Sequence, residues 1–524
     1  MLPCILHEDQ DLLVANKPAG LNTHAPDPYA GAGLYEFLKH REPRWANLAI
    51  IHRLDKETSG VLVFAKTATA NSSLTEQFTK RLVRKIYYLL TTRPVTTPLH
   101  LRSAIVRVGS KYASRPPHAG APIAETRFTP LSSSVGTLLR AEPLTGRTHQ
   151  IRVQAADHGF PILGDRMYGG APAPRLCLHA GEITFRHPTS GQEMTFSAPY
   201  DFAADVRHTL RTALIEEHTD AFRLLHGASD QVPDWYVEKL GNYLLSQSKR
   251  PLKDDQLKTL ADLAQRYGAR GAYHKILSRS VRGAAPEEAS PIPVWGKPAP
   301  NPFEIRENGV SYSVSFGEGY SVGLFLDQRE NRRRLLTGHV AAGFHVDLDS
   351  SRKVLNTFAY TCGFSVCAAR GGARTTSLDL SRKYLEWGKR NFQLSQLDLA
   401  GHDFIFGDTF DWLRRLGKKG RVFEVVMLDP PTFSQSRESG VFRVERDYPK
   451  LLEAALAVLR PGGVLFASSN AAIWAPERFC ATVNGAVAAR KRKVVQQHFE
   501  TQPPDFPLSR EEPAYLKTLW LRVE

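Results

Sequence analysis

The sequence predicts a multidomain chain: an α+β domain over residues 1–210, a small α+β domain with its linker over 211–302, and an α/β, Rossmann-like domain over 303–524. Three observations carry this prediction. At 524 residues the chain is longer than one ordinary hydrophobic core spans. The first 210 residues read as short apolar stretches cut by Gly and Pro turns, a strand-rich pattern with a few helices. From about 303 onward strands and helices alternate, which calls for a parallel sheet covered by helices.

Taken in order, strands are expected at 12–16, 60–65, 86–90 and 136–141, each an apolar run bounded by turn residues. A helix-like run follows at 257–265, inside a smaller α+β stretch. Residues 280–302 are rich in Pro, Ala and Gly and read as a linker. Asn308-Gly309, flanked by alternating residues, is a strong hairpin signal. Beyond it come a strand at 354–358, a helix at 364–370, a strand at 375–380 and a helix that Ser381 can cap. Further strands are expected at 404–407, 423–429 and 463–468. The chain shows no internal repeat.

The net charge is +15 with a pI near 9.5. Residues 1–210 hold 24 Lys and Arg against 17 Asp and Glu, and the remainder is basic as well, so both halves suit a polyanionic partner. The five cysteines, Cys4, Cys177, Cys362, Cys367 and Cys480, form no CxxC pair. That excludes a zinc-ligand pattern and fits a reducing cytoplasm rather than a disulfide framework. No signal peptide and no apolar run of membrane-spanning length is present, so a soluble cytoplasmic protein with no membrane and no metal is expected.

The N-terminal chemistry centres on Ile51-His-Arg-Leu-Asp-Lys-Glu-Thr-Ser-Gly60. Around it stand Asp11-Leu-Leu-Val-Ala-Asn-Lys-Pro-Ala-Gly-Leu, Lys85-Ile-Tyr87, Leu144-Thr-Gly-Arg-Thr-His-Gln-Ile-Arg152, Pro161-Ile-Leu-Gly-Asp165, Leu178-His-Ala and Phe185-Arg-His-Pro. In this order the blocks resemble the RluA family of pseudouridine synthases over nearly all of residues 1–205. The resemblance implies a mixed antiparallel sheet and a cofactor-free isomerisation of uridine in RNA. It makes Asp55 the carboxylate that acts at the sugar–base junction. To stay ionised beside a flipped base, Asp55 needs a neighbouring cation. Arg147 is the family-matched candidate and Arg152 the second choice. Tyr87 carries over as the ring that stacks on the base and is available for proton transfer from C5. Lys80-Arg-Leu-Val-Arg-Lys85 is either a phosphate-binding run or a solvated surface. His52 and His149 are expected to pack or hydrogen-bond rather than act as bases. The S4-type RNA-binding module common in the family is not found ahead of Asp11, so RNA selection is expected to come from elsewhere.

The C-terminal part needs a close-approach turn after its first strand and a carboxylate after its second. Val354-Leu-Asn-Thr-Phe-Ala-Tyr-Thr-Cys-Gly363 supplies the turn, with Asn356, Phe358, Tyr360, Thr361 and Gly363 as candidate cofactor contacts. Asp379 and Leu380 end the next strand, where the carboxylate suits ribose hydroxyls. Asp408 is placed for an adenine edge. Leu428-Asp-Pro-Pro-Thr-Phe-Ser434 puts Asp429 and Pro430 near the methyl donor, with Asp429 as the catalytic candidate and an aromatic residue for base stacking. These segments, with Gly323-Leu-Phe-Leu-Asp-Gln-Arg-Glu-Asn-Arg332 and Asp220-Ala-Phe-Arg-Leu-Leu-His-Gly, resemble the RlmI/RlmK-type large-subunit rRNA methyltransferases over most of 218–524. The resemblance implies S-adenosyl-L-methionine as cofactor and RNA, in particular large-subunit rRNA or its precursor, as partner. It places Gln328 and Arg329 beside the donor's carboxylate, with helix capping and salt bridging as the other role for them.

Methylation at cytosine C5 needs a cysteine thiolate. Where the cytosine-modifying relatives carry a Ser-Cys-Ser type sequence, this chain reads Leu465-Phe-Ala-Ser-Ser-Asn470. The ending is closer to the RlmK type and points to guanine N7, with an exocyclic amine as runner-up. Asn470 either orients the base or ends the strand. The chain is therefore expected to be a bifunctional RNA-modifying enzyme. The competing expectation is one active half with the other serving as an RNA-binding module.

Overall fold

The computed structural model describes residues 2–118, 120–131, 136–277, 290–319, 321–436 and 440–524. The first part of the expected linker, 280–289, lies outside them. The chain forms two compact units. The first comprises Met1–Pro26, Gly33–Lys39 and Asn47–Ile215; the second comprises Asp27–Ala32, His40–Ala46 and Glu216–Glu524.

The first unit is built on an eleven-stranded, mainly antiparallel sheet. Two helices pack on the face that bears Lys85 and Tyr87. Leu12, Val14, Val61 and Val63 pack with Ala70 and Leu74 of the helix Ala68–Thr79. Leu89, Phe128 and Leu139 pack with Ile151 and Ala155 of the helix Gln150–Asp157. Among the described residues one junction is parallel, joining Ser59–Ala65 to Leu178–Arg186 through Ser59 with His179 and Gly60 with Ala180. Gly60 sits at φ +122°, and a Cβ there would lie 2.2 Å from the Ala180 carbonyl oxygen. Only glycine permits that approach.

The second unit holds two larger sheets. A five-stranded sheet runs in order Ala221–His226, Trp235–Leu240, Tyr243–Ser248, Gly271–Ile276, Ile292–Gly296. Its parallel pair, Tyr243–Ser248 and Gly271–Ile276, is joined through the helix Asp254–Arg266. The expected hairpin forms from Phe303–Glu307 and Val310–Val314. Asn308 and Gly309 both take positive φ at its turn.

The seven-stranded sheet has the spatial order Asp403–Phe406, Arg374–Asp379, Lys353–Thr357, Phe423–Leu428, Leu459–Ser469, Lys517–Val523, Val494–Glu500. Its first five members in this order are parallel, and Lys517–Val523 inserts antiparallel to both neighbours. Chain order reverses between Lys353–Thr357 and Phe423–Leu428. A ligand cleft is expected at the carboxyl ends of these strands. The strand expected at 463–468 begins earlier, at Leu459, because Leu459 pairs with Phe423 ahead of a register shift at the Pro-Gly-Gly segment. Also within this unit, Arg41 is buried with its guanidinium on Glu216 at 3.0 Å and Glu330 at 2.5 Å.

Candidate active sites

In the first unit a cavity of about 540 Å³ is lined by Asp55, Tyr87, Lys85, Arg53, Arg147, His149 and Arg152 among others. Asp55 lies in the irregular segment before the strand Ser59–Ala65. Two contacts fix this segment. The Leu54 N–H donates to Thr23 Oγ1, and the Thr23 hydroxyl donates to the Leu54 carbonyl. The buried Lys17 ammonium donates to the carbonyls of Pro18, Leu21 and Lys56, tying the Lys-Pro-Ala-Gly turn to the residue after Asp55. Burial lowers the Lys17 ammonium to about 7, against the pull of Glu57 and Asp55.

The cation on Asp55 is Arg152, with Nη1 3.3 Å from Oδ2. This corrects the preference for Arg147. Arg152 projects inward from the helix Gln150–Asp157, and its fork is held by Asp165 through Nε at 2.8 Å and Nη2 at 2.9 Å. Arg147 sits in the turn before that helix, where its N–H donates to Gln150 Oε1, and it lines the cavity without an ion pair to Asp55 among the described residues. Two anions on one guanidinium keep Arg152 charged despite burial.

Tyr87 is half-buried in the strand Arg84–Thr91, and desolvation of its hydroxyl together with the Asp55 charge pushes that group well above the ordinary tyrosine range. It therefore holds its proton at neutral pH. His52 accepts the Val63 N–H and stacks on Phe78, and burial lowers it to about 3, so it packs as expected. His149 is closer to the chemistry than expected, with Nε2 3.7 Å from Asp55 while Nδ1 meets the Tyr168 hydroxyl at 2.7 Å. Of the basic run, Arg81 and Lys85 line the cavity, whereas Lys80 forms an exposed pair with Glu76.

In the second unit the turn after Lys353–Thr357 is tightly wound, with Phe358, Tyr360 and Cys362 all at positive φ. Asp379 holds it, one oxygen accepting from the Tyr360 N–H and the other from the Ser381 N–H, each at 2.8 Å. Burial raises the Asp379 carboxyl. Thr361 donates to the Gly323 carbonyl, and Asn391 donates to the Thr361 carbonyl. Gly363 opens the helix Gly363–Arg370.

A second cavity, about 480 Å³, is lined by Phe358, Leu380, Asp408, Phe410 and Phe442, with Arg446 and Lys450 among its other residues. Asp408 reaches this cavity while its Oδ1 caps the helix Thr409–Lys418 through the N–H groups of Phe410 and Asp411.

Asp429 follows the strand Phe423–Leu428, with the buried Pro430 after it. Gln328 donates through Nε2 to Asp429 Oδ1 at 3.1 Å and to Ser468 Oγ at 3.0 Å, while its Oε1 accepts from Asn331. Burial raises the Asp429 carboxyl to about 6, with Asp327 adding to the effect and the Ser468 and Gln328 contacts opposing it. Asp327 accepts from the Tyr515 hydroxyl at 3.0 Å. Asp327 belongs to the Gly323–Arg332 segment that the sequence singles out, whereas nothing in the spacing reveals its contact with Tyr515.

Arg329 is corrected. Its guanidinium binds Asp505 at 2.9 and 2.6 Å, with both side chains buried, so it is an internal ion pair and is not presented to a ligand. The helix it opens, Arg329–Thr337, turns this residue inward together with Arg332, which binds Glu307. Asn470 is exposed at the end of the strand Leu459–Ser469.

An adenosyl-type cofactor fits these residues. Asn356 Oδ1 is buried without a hydrogen-bond partner among the described residues, and the apolar slot of Phe358, Leu380 and Phe410 suits a flat ring. Among the described residues no group of three or more metal-ligating side chains is assembled. No helix among them is long and apolar enough to cross a membrane.

Residues 11–157 match the family model described as RNA pseudouridylate synthase. Residues 234–522 match the model described as S-adenosylmethionine-dependent methyltransferase. A ribosomal RNA large subunit methyltransferase of Deinococcus radiodurans is 33% identical over 362 residues, 68% of this chain and 84% of that protein. The ribosomal RNA large subunit methyltransferase K of Neisseria meningitidis serogroup B is 38% identical over 170 residues, 32% of this chain and 45% of that one. The ribosomal RNA large subunit methyltransferase I of Cronobacter sakazakii is 31% identical over 57% of this chain and 73% of that one. Among solved structures, a methyltransferase complexed with S-adenosylhomocysteine aligns with a TM-score of 0.50 at 29% identity, covering 59% of this chain and 76% of that one.

Proposed function

We propose, on the premise that this chain belongs to the S-adenosylmethionine-dependent methyltransferase family and carries an RNA pseudouridylate synthase unit, that both units act on large-subunit ribosomal RNA, the second methylating guanine at N7. In the first unit Asp55 acts at the junction of ribose and base. Arg152, braced by Asp165, sets a positive charge beside it when an entering base displaces water. Tyr87 contributes a ring for stacking and a hydroxyl that keeps its proton.

In the second unit the turn around Asn356, Phe358, Tyr360 and Thr361, with Asp379, Leu380 and Asp408, would hold the cofactor. When bound, the cofactor supplies an electrophilic methyl group. Gln328 and Ser468 orient Asp429 as a hydrogen-bond acceptor for the target base. Guanine N7 has an exposed lone pair, so placement against the donor suffices without removal of a proton.

The observation that carries this choice is the chemistry of the thiols. Burial holds Cys362 and Cys367 up at about 12, and Cys480, at about 11, lies on the helix Pro476–Ala489. None of them supplies the thiolate that cytosine C5 chemistry requires. One observation favours a second reading, methylation of an exocyclic amine. An Asp429 near 6 is a better proton acceptor than an ordinary carboxylate.

Nucleoside mass spectrometry and fragment mapping of rRNA from cells with and without the protein test the proposal. Loss of one pseudouridine and one 7-methylguanosine from the large-subunit rRNA is the expected result. Loss of 5-methylcytidine or of an N2-methylated guanosine instead would overturn the N7 assignment, and modification changes confined to other RNA would overturn the substrate.

A further inference from the structure

The sheet of the first unit has a second face, turned away from the catalytic cavity. Tyr87 points to the cavity, so Tyr88 next to it points the other way. Directly paired residues of antiparallel strands share a face, which allows this outer face to be followed across the sheet.

Tyr88 pairs with Arg140 of the strand Thr137–Pro143. Arg140 pairs with Thr129 of the strand Ile123–Leu131, two residues from Arg127. Arg127 pairs with His100 of the strand Leu99–Val108, two residues from Arg102. Two residues beyond Arg102, Ala104 pairs with Arg115 of the strand Lys111–Arg115. Arg140, Arg127, Arg102 and Arg115 thus form a diagonal row, one arginine on each of four successive strands. Strand spacing and rise put neighbouring members about 8 Å apart at Cα.

Along the row two carboxylates share this face, Glu142 opposite Arg127 and Glu125 opposite Arg102, and at the aromatic end Glu182 accepts from the Tyr88 hydroxyl at 3.0 Å. Each already has a partner, Glu142 the row's own Arg140 at 3.5 Å and Glu125 the His100 ring at 2.8 Å. Arg102, Arg115 and Arg127 are exposed, and among the described residues no carboxylate lies within ion-pair distance of them. Lys111 lies on the same face and adds to the charge. At the Arg140 end the row meets an aromatic stack, Tyr88 on Tyr200 with ring centroids 4.7 Å apart. Tyr200 is 38% exposed.

We infer that this outer face is a second RNA-binding surface, distinct from the catalytic cavity, on which the arginine row tracks a phosphodiester backbone and Tyr200 stacks on an unpaired base. A row of guanidinium groups, three of them with no carboxylate partner among the described residues, beside an exposed aromatic ring is an arrangement that suits single-stranded and looped RNA. An acidic protein surface would use the charge and leave the ring idle. Such a surface supplies affinity for RNA outside the nucleotide being modified, without reading its sequence.

The test is RNA affinity of the full-length protein as a function of salt. Fluorescence anisotropy with a labelled stem-loop of about 40 nucleotides is run over a KCl series for wild type, R102Q/R115Q/R127Q and R102K/R115K/R127K. The glutamine triple is expected to bind about tenfold or more weakly at ~0.1 M KCl, with a salt slope smaller by roughly 2–3, and the lysine triple is expected to keep the wild-type slope. Single R115Q, on the edge strand, should lower the slope by about 0.7–0.9. Y200A should weaken binding with the slope unchanged. S-adenosylhomocysteine affinity and melting temperature should match wild type in all four variants. Wild-type affinity and slope in the glutamine triple and in R115Q would overturn the inference, whatever RNA proves to be the substrate.

Discussion

Asp55 and Asp429 are the carboxylates of the two candidate sites, yet their surroundings treat them in opposite ways. Asp55 faces a guanidinium that is itself clamped by Asp165. Asp165→Asn keeps the shape of the clamp and removes its charge, which frees Arg152 to swing. Pseudouridine formation is then expected to fall by about tenfold to a hundredfold with methyl transfer unchanged, as displacement of a positioning group by about 1 Å can cost that much. Assay of both products on one RNA preparation checks it. Asp429 instead meets neutral donors and a neighbouring Asp327, and burial takes it to about 6 from an ordinary 3.8. Its acceptor form is the anion, so methyl transfer should rise with pH through about 6 and level off above it. In Asp429→Asn that rising limb should vanish; a profile that still rises through the same range would show that another group sets it.

Elements place these side chains by backbone approach as much as by packing. The strand Ser59–Ala65 runs beside Leu178–Arg186 only because Gly60 has no Cβ. Gly60→Ala forces the two strands apart at a positive φ, and a loss of about 2–4 kcal/mol is expected. The Asp55 segment leads directly into this strand, so pseudouridine formation should fall with the melting temperature; a variant that melts like wild type would refute the strain argument. The aromatic slot of the second unit is likewise a matter of elements. Phe358 comes from the turn after one strand, Phe410 from a helix and Phe442 from the strand Gly440–Arg443. No spacing in the sequence announces that these three rings meet.

At the scale of the molecule, the second compact unit includes Asp27–Ala32 and His40–Ala46. Arg41 gives this a physical basis. Burial would raise the Glu330 carboxyl, but Arg41, followed by Arg329 and Arg333, outweighs it and holds the group at about 2. A carboxyl whose folded value is depressed stabilises the fold above its unfolded value of about 4.5 and loses that contribution as pH falls towards 2. A fragment of residues 216–524 lacks Arg41 and leaves Glu330 with fewer cations. It should melt below the same unit in the full chain at pH 7, and the gap should narrow in acid as Glu330 takes up a proton. Equal melting temperatures, read by calorimetry, would count against this role for Arg41.

The sequence by itself determined the two families and much of the strand and helix order. These follow from local patterns: turn glycines, alternation, capping residues and short motifs that must keep their spacing to work. The hairpin at Asn308-Gly309, the Ser381 cap and the packed role of His52 were all legible in this way. Tertiary structure decided which charges meet. It gave Asp55 to Arg152 rather than Arg147 because the inward face of one helix and Asp165 clamp that guanidinium. It turned Arg329 to Asp505, 176 positions away in sequence, and it aligned four arginines on one face through strand register. A motif fixes which residues are available. Pairing between distant segments depends on how their backbones are brought together, and a linear pattern carries no measure of that distance.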